Sequence, residues 1–301
     1  MRNLGIILAG GLGTRLYPIT QVVSKQLLPV YNKPMVYYPL STLLAKGCEK
    51  ILVITNPQHT QLFEALLMNS VSRFGASIYV RSQERPRGLA DALIIAGRFL
   101  DEIDEQATGF VLALGDNLFY GPDFHEISPI RSTAQIHTYP VPYPQNYGVF
   151  HYHIQDGRTV RKITEKPKNP LSRQAVIGLY EYPTDAAEYA MSLSPSARGE
   201  LEITDLNNIY LEEDRCNLYV HNQPSVWMDM GTPSNLLETA SFIQAVENRT
   251  GTLVGAPELA AGRVLAVERG LPMIINSLPE LYPPNSPYTE QLMKILTQPP
   301  L

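Results

Sequence analysis

Three glycines, two cations and two distant carboxylates are the residues of this chain with the clearest chemical potential. Gly10, Gly11 and Gly13 follow the apolar run from Leu4 to Ala9, and Arg15 and Lys25 stand just beyond them. Glycines lack a Cβ, so their backbone can approach a ligand closely, and bare N–H groups at a strand's C-terminal end cradle phosphate. Arg15 adds a planar fork of donors and Lys25 a point charge. Two better-known phosphate loops do not fit. Counting from Gly11, a dinucleotide fingerprint needs a third glycine where Leu16 stands, and no Gly-Lys-Ser/Thr triplet closes a P-loop. The loop reads as the holder of a different phosphorylated ligand.

Gly115-Asp116-Asn117 follows a second apolar run, Phe110 to Leu114. In an open parallel sheet the ligand crevice lies at the strands' carboxyl ends, which directs Asp116 toward the site opened by Gly10–Gly13. Beside a polyphosphate such a carboxylate is best explained as a magnesium ligand, although the triplet alone also fits a turn or a helix cap. Asp229 stands in Trp227-Met228-Asp229-Met230-Gly231-Thr232-Pro233, where it ends a short strand before Thr232 and Pro233 open a helix as N-cap and N1. Alone it says little. With Asp116 it supplies two hard anionic ligands for one Mg2+, whose octahedron water and phosphate oxygens would complete.

The elements that must position these residues are marked by short apolar runs alternating with helical segments. Leu4–Ala9, Lys50–Thr55, Ser77–Ser82 and Phe110–Leu114 read as strands, and 35–46, 58–68 and 88–100 as helices, with Pro34 at a first helical position and Gly47 just past a helix end. Such alternation makes βαβ units, so the expected fold class is α/β with a Rossmann-like, mostly parallel central sheet flanked by helices. From Thr133 the pattern changes to strands rich in Tyr and Val at 135–139, 147–152, 159–164 and 176–182. These read as an antiparallel or mixed extension. Helices return at 185–191, 203–212 and 233–247, followed by helical segments at 258–269 and 287–296 with a proline-crowded, irregular connection at 279–287. The expected division is a main domain of residues 1–250, its halves meeting near 132, and a C-terminal helical appendage at 251–301.

Composition narrows the partners. The chain has 301 residues, 44% apolar and 18% charged, which describes a folded globular protein and excludes disorder. A formal charge of −5 with no basic block argues against nucleic acid. Two cysteines, Cys48 and Cys216, supply no disulfide or zinc framework and fit a reducing compartment. The first apolar run is too short for a membrane span or a signal segment, so no membrane partner and a cytoplasmic location are expected.

The string G-G-L-G-T-R-L-x-P, followed by S-K-Q-L-L-P, resembles the sugar-nucleotide pyrophosphorylases. Tyr17-Pro18-Ile19-Thr20 and Val23-Ser24-Lys25-Gln26-Leu27-Leu28-Pro29 are similar to their thymidylyltransferase branch in particular. Glu165-Lys166-Pro167, alone a solvated ion pair, and Arg198-Gly199-Glu200-Leu201-Glu202-Ile203-Thr204-Asp205, alone a helix start, also match. The resemblance spans about residues 3–250 through some six motifs in order. It implies a reaction of dTTP with glucose 1-phosphate, giving dTDP-glucose and pyrophosphate with Mg2+, in a homo-oligomer, tetramer or dimer. It also implies roles: Arg15, Lys25 and Lys166 in catalysis; Leu8, Gly10, Gly11, Gly13, Thr14, Arg15, Gln26, Gln83 and Gly88 on the nucleotide. Asn117, Tyr147, Gly148, Glu165, Lys166, Val176, Tyr180, Arg198 and Trp227 fall on the sugar phosphate side, though several would serve equally as core or strand filler. Asp116 and Asp229 are the metal ligands. Arg87 stands where the family has aspartate, Ile177 and Met230 where it has threonine, and the tail after Thr252 lacks the usual Trp-Arg-Asn-Gly. Other readings are a pyrophosphorylase using UTP or another sugar 1-phosphate, a non-catalytic sensor on the same fold, disfavoured by the presence of every cation and carboxylate, and an NAD-dependent oxidoreductase, disfavoured by the missing third glycine and by Asp229.

Overall fold

The computed structural model describes residues 2–68, 76–127, 130, 132–155, 158–262 and 271–297. Strand β1 (Leu4–Ala9) lies in the middle of the main sheet and is apolar on both faces. Ile7 and Ala9 enter one hydrophobic cluster, Leu4 and Ile6 the other, as a period of two requires. It pairs in parallel with β4 (Lys50–Thr55) and β6 (Phe110–Leu114), and β4 pairs in parallel with β5 (Ser77–Ser82). These four strands match their expected residues.

Beyond β6 the sheet turns antiparallel through β11 (Gln174–Tyr182), which also carries β8 (Ala134–Pro140) and β9 (Gly148–Gln155). β10 (Arg158–Glu165) pairs antiparallel with β9, and β12 (Cys216–Val220) pairs parallel with β8. Among the described residues this makes nine strands in one sheet. Helices α1 (Tyr37–Ala45) and α2 (Thr60–Leu67) cover one face. Helices α3 (Asp91–Glu102), α4 (Ala186–Ser192) and α5 (Ile203–Glu212) cover the other. Helix α6 (Pro233–Thr250) begins as expected, with Thr232 Oγ1 accepting from the Asn235 N–H and Pro233 at the first turn. The C-terminal helices α7 (Leu271–Leu281) and α8 (Pro287–Thr297) bury Ile274, Leu278, Leu292 and Leu296 in the same cluster as α1.

Several boundaries differ from expectation. Pro34 is in strand β3 (Lys33–Pro34), paired with β2 (Pro29–Val30), and does not start a helix. The Met35 and Val36 N–H groups donate to the Leu28 and Gln26 carbonyls, which holds the chain against the Lys25–Leu28 segment until Tyr37. The helix expected from Gly88 begins at Asp91, because Gly88 has φ +100°, outside any helix. Strands β7 (Asn117–Tyr120) and β12 carried no clear sequence signal. Pro279 lies inside α7, so the irregular stretch is shorter than its prolines implied. Of the helix expected at 258–269, residues 257–262 are helical and the remainder lies outside the described residues. No helix among the described residues is long and apolar enough to cross a membrane.

Candidate active site

The carboxyl ends of β1 and β6 open beside each other, since the two strands pair in register from Leu4↔Phe110 to Leu8↔Leu114. Past β1 the chain loops through Gly10, which is buried, and Gly11, which is exposed, to Gly13 at φ +65°. Only a residue without a Cβ takes that backbone without strain. Gly13 precedes a turn of 3-10 helix, Thr14–Leu16, whose Arg15 side chain is exposed. Thr20 Oγ1 donates to the Gly13 carbonyl at 2.7 Å and closes the loop. Leu8 contributes its carbonyl, which accepts from the Gly115 N–H at 3.0 Å.

Lys25 comes from the same segment, in a second 3-10 turn, and its Nζ is ion-paired with Asp116 Oδ2, both side chains being 13% exposed. Asp116 Oδ1 accepts from Asn117 Nδ2 at 2.9 Å, and Asn117 Oδ1 accepts from Trp227 Nε1 at 2.7 Å. This chain of contacts crosses the ribbon formed by β7 and β13 (Val226–Asp229), in which Asn117 faces Asp229. The Met230 N–H donates to the Asp116 carbonyl at 2.8 Å, which locks the two aspartates' backbones together. Their proximity, expected from two motifs more than a hundred residues apart, is a property of this ribbon.

Asp229 is held on both oxygens. Oδ2 accepts from the Tyr147 hydroxyl at 2.7 Å and Asn235 Nδ2 at 3.1 Å, and Oδ1 from the Gly231 N–H at 3.1 Å. Burial, with Asp229 adding to it, pushes the Tyr147 phenol well above its ordinary range, so it stays a donor. Arg15 reaches the same place: a Cβ on Gly231 would lie 2.6 Å from Arg15 Nη2 and 3.1 Å from Asp229 Oδ1. Asp116 is thus ion-paired with Lys25, and the Arg15 guanidinium borders Asp229 across Gly231. The donor set is two hard carboxylates without thiolate or imidazole, which suits a small divalent cation bound chiefly through water and substrate oxygens. Among the described residues no three His, Cys, Asp or Glu side chains gather as a self-sufficient metal cage.

A second group adjoins Tyr147. Lys166, at φ +40°, has its N–H bonded to the Tyr147 carbonyl and its Nζ 3.5 Å from Glu165 Oε1. Glu165 Oε2 accepts from Thr204 Oγ1 at 2.7 Å, and both atoms lie 3.3 Å from where a Gly148 Cβ would be. Tyr180 is buried on β11, its phenol pushed upward by burial with Glu165 nearby, and Val176 is buried on the same strand. Trp227 meets Tyr147 edge to face at 5.2 Å. Arg198 is half exposed and its Nη2 is engaged by Glu202 at 2.9 Å and Glu200 at 3.3 Å. Glu165 also acts on it electrostatically, so it borders the same group from the Arg198–Asp205 string.

On the far side of β1 the loop after β5 carries Gln83 and Gly88. A Gly88 Cβ would come within 2.4 Å of the Leu201 carbonyl oxygen, and the Leu201 N–H donates to the Arg87 carbonyl at 2.6 Å. The Arg198–Asp205 string thus packs directly on the loop of Gln83. Ser24, Asp91, Thr204 and Asn235 also belong to this network, and none had been assigned a part in it. Thr204 stood within a matching string and Asn235 three residues after the helix cap, the only signals available for them.

A family model described as nucleotidyl transferase matches residues 4–246. The glucose-1-phosphate thymidylyltransferase of Neisseria meningitidis serogroup A / serotype 4A is 48% identical over 249 residues, which is 81% of this chain and 83% of that one. That of Mycolicibacterium smegmatis is 46% identical over 264 residues, 86% of this chain and 88% of its own. A crystal structure of a Bacillus anthracis protein assigned as a glucose-1-phosphate thymidylyltransferase, in complex with sucrose, superposes with a TM-score of 0.68 at 36% identity, covering 79% of this chain and 94% of that chain. UDP-glucose pyrophosphorylase complexed with UDP-glucose shares the fold at a TM-score of 0.66 and 21% identity, over 82% of this chain and all of that one. The chain belongs to the nucleotidyl transferase family, in the branch whose relatives bear the name glucose-1-phosphate thymidylyltransferase.

Proposed function

We propose that this chain transfers a thymidylyl group from dTTP to glucose 1-phosphate, forming dTDP-glucose and pyrophosphate. The observation that carries the proposal is the gathering of Arg15, Lys25, Asp116 and Asp229 at the carboxyl ends of β1 and β6. The names of the relatives support the choice of nucleotide and sugar.

The chemical problem is an anion attacking an anion. Two unit charges about 6 Å apart repel by roughly 3 kcal/mol at an effective dielectric near 20, and each substrate carries several charges. The sugar phosphate oxygen is already ionised, so no side-chain nucleophile is needed. The residues position the two phosphates in line and neutralise them. The loop Gly10–Gly13 with Thr14 cradles the triphosphate. Arg15 holds the departing pyrophosphate, Lys25 the α-phosphate, and Lys166 with Arg198 the incoming phosphate. Glu165, Tyr147, Gly148, Asn117, Val176, Tyr180 and Trp227 shape the sugar side, while Leu8, Gln26, Gln83 and Gly88 border the nucleotide. Asp116 and Asp229 would hold Mg2+, which when bound supplies charge neutralisation on the nucleotide phosphates. The enzyme works as a homo-oligomer, dimer or tetramer, in the cytoplasm, where nucleoside triphosphates are made.

Direct attack has a stereochemical signature. With dTTP carrying a chiral α-thiophosphate, the sugar nucleotide product should show inverted configuration at phosphorus, read by phosphorus NMR. Retention would require a covalent nucleotidyl intermediate on the protein and would refute the direct route.

A further inference from the structure

We propose that Asp91 sets the hydrogen-bonding polarity of the base pocket by fixing the Gln83 amide with its carbonyl oxygen toward the crevice, so that the pocket selects a pyrimidine bearing a ring N–H. The inference deepens the nucleotide reading above and rests on it. Gln83 directly follows β5 and is buried, as is Asp91, the first residue of α3. Gln83 Nε2 donates to Asp91 Oδ2 at 2.8 Å and reaches the Gly88 carbonyl at 3.5 Å. A carboxylate and a peptide carbonyl can only accept, so the NH2 end of the amide must face them. That network assigns the amide's two ends. The other end, Oε1, lies over the glycine loop: a Cβ on Gly10 would be 3.4 Å from it.

On the β6 side of β1 the second glutamine, Gln26, has Oε1 2.6 Å from Ser24 Oγ. A hydroxyl can donate or accept, so this amide can turn either end to the pocket, whereas Gln83 presents a fixed acceptor. An imide edge, with a ring N–H flanked by carbonyls, complements that acceptor and takes a donor from Gln26. Thymine and uracil share that edge. Cytosine has an unprotonated ring nitrogen and an exocyclic amino group, which would set acceptor against acceptor at Gln83. Buried polar groups left unpaired in this way make for strong discrimination. The same geometry explains Arg87, whose Nη1 lies 3.7 Å from Asp91 Oδ1 and backs the carboxylate from the solvent side.

The test compares dTTP with 5-methyl-dCTP, which have the same methyl group and nearly the same shape but opposite edges. The wild-type protein should favour dTTP in kcat/KM by about 100-fold or more. Asparagine can donate where aspartate accepts, so Asp91→Asn releases the Gln83 amide to flip. The preference should then fall at least tenfold, through nucleotide KM more than kcat. Asp91→Glu, still an acceptor only, should keep the preference within about threefold of wild type. A folded Asp91→Asn enzyme that loses activity equally on both nucleotides would make Asp91 merely structural and overturn the proposal. Equal binding of the two nucleotides to wild-type protein, measured by calorimetry, would overturn it without any variant. Absence of turnover with every nucleotide would instead strike the functional reading on which this one stands.

Discussion

At the crevice Lys25 is ion-paired with Asp116, while Asp229 is held by Tyr147, Asn235 and the Gly231 N–H, with the Arg15 guanidinium nearby across Gly231. Such pairing keeps charge at the site without the cost of isolated ions out of water. It also makes the two aspartates parts of one unit, joined through Asn117, Trp227 and the Met230 N–H. Asp116→Asn and Asp229→Asn should each lower turnover by a few hundredfold, on the order of 3–4 kcal/mol. The double variant should lose far less than the product of the two effects, because groups acting on one cation fail together. Steady-state rates across saturating Mg2+ would check this. Fully multiplicative losses would mean that the two carboxylates have separate tasks.

At the scale of elements, what could be read in the sequence was whatever is decided locally. The strands β1, β4, β5 and β6 are short apolar runs bounded by polar residues, and a run buried on both faces has few alternatives. The cap of α6 was equally plain, since Thr232 and Pro233 decide it themselves. Pro34 misled because the chain around it is governed by hydrogen bonds from Met35 and Val36 to Leu28 and Gln26, which no local pattern records. The β7–β13 ribbon was hidden for the same reason: Asn117–Tyr120 is a strand only because Val226–Asp229 pairs with it. The glycines, Arg15, Lys25 and Asp116 stood out by type and Glu165, Lys166, Arg198 and the sugar-side residues only through the family resemblance, while their supporting partners Ser24, Asp91 and Asn235 are ordinary residues made relevant by position. Gly88 shows how tightly elements constrain one another, with φ +100° and its missing Cβ 2.4 Å from the Leu201 carbonyl oxygen. Gly88→Ala should destabilise the fold by about 2–4 kcal/mol, seen as a lower midpoint in urea unfolding. An unchanged midpoint would show that the loop yields easily and that the Leu201 contact imposes little.

At the scale of the molecule, a buried polar network joins the parallel and antiparallel parts of the sheet. Lys46, just past α1, pairs with Glu181 of β11 at 2.8 Å, and His137 of β8 lies between Glu181 at 3.2 Å and His221 at 2.7 Å. Asp123 faces His221 from the other side at 3.9 Å. Burial holds both histidines below their ordinary range, His221 at about 4, with His137 and Lys46 adding to the effect there and Asp123 opposing it. Burial alone would raise Glu181, but His137 and Lys46 outweigh it and hold the carboxylate low. A histidine that resists protonation in the fold favours the native state above its unfolded pKa, near 6.5, and that advantage is lost as pH falls toward 4. Between pH 7 and 5 the protein should lose about 2 kcal/mol through His221, measured by denaturant unfolding. His221→Asn should flatten that dependence, and an unaltered slope would place the titration elsewhere. The network ties the sheet that carries Tyr147 and Glu165 to the part that carries the glycine loop, so both halves of the site share one frame. The most direct measurement is made on the purified protein with dTTP, glucose 1-phosphate and Mg2+, following pyrophosphate release and the nucleotide product by ion exchange. The proposed reaction predicts one pyrophosphate for each dTDP-glucose formed, with both lost when either substrate is omitted. No pyrophosphate from any pyrimidine triphosphate with any hexose 1-phosphate would contradict it.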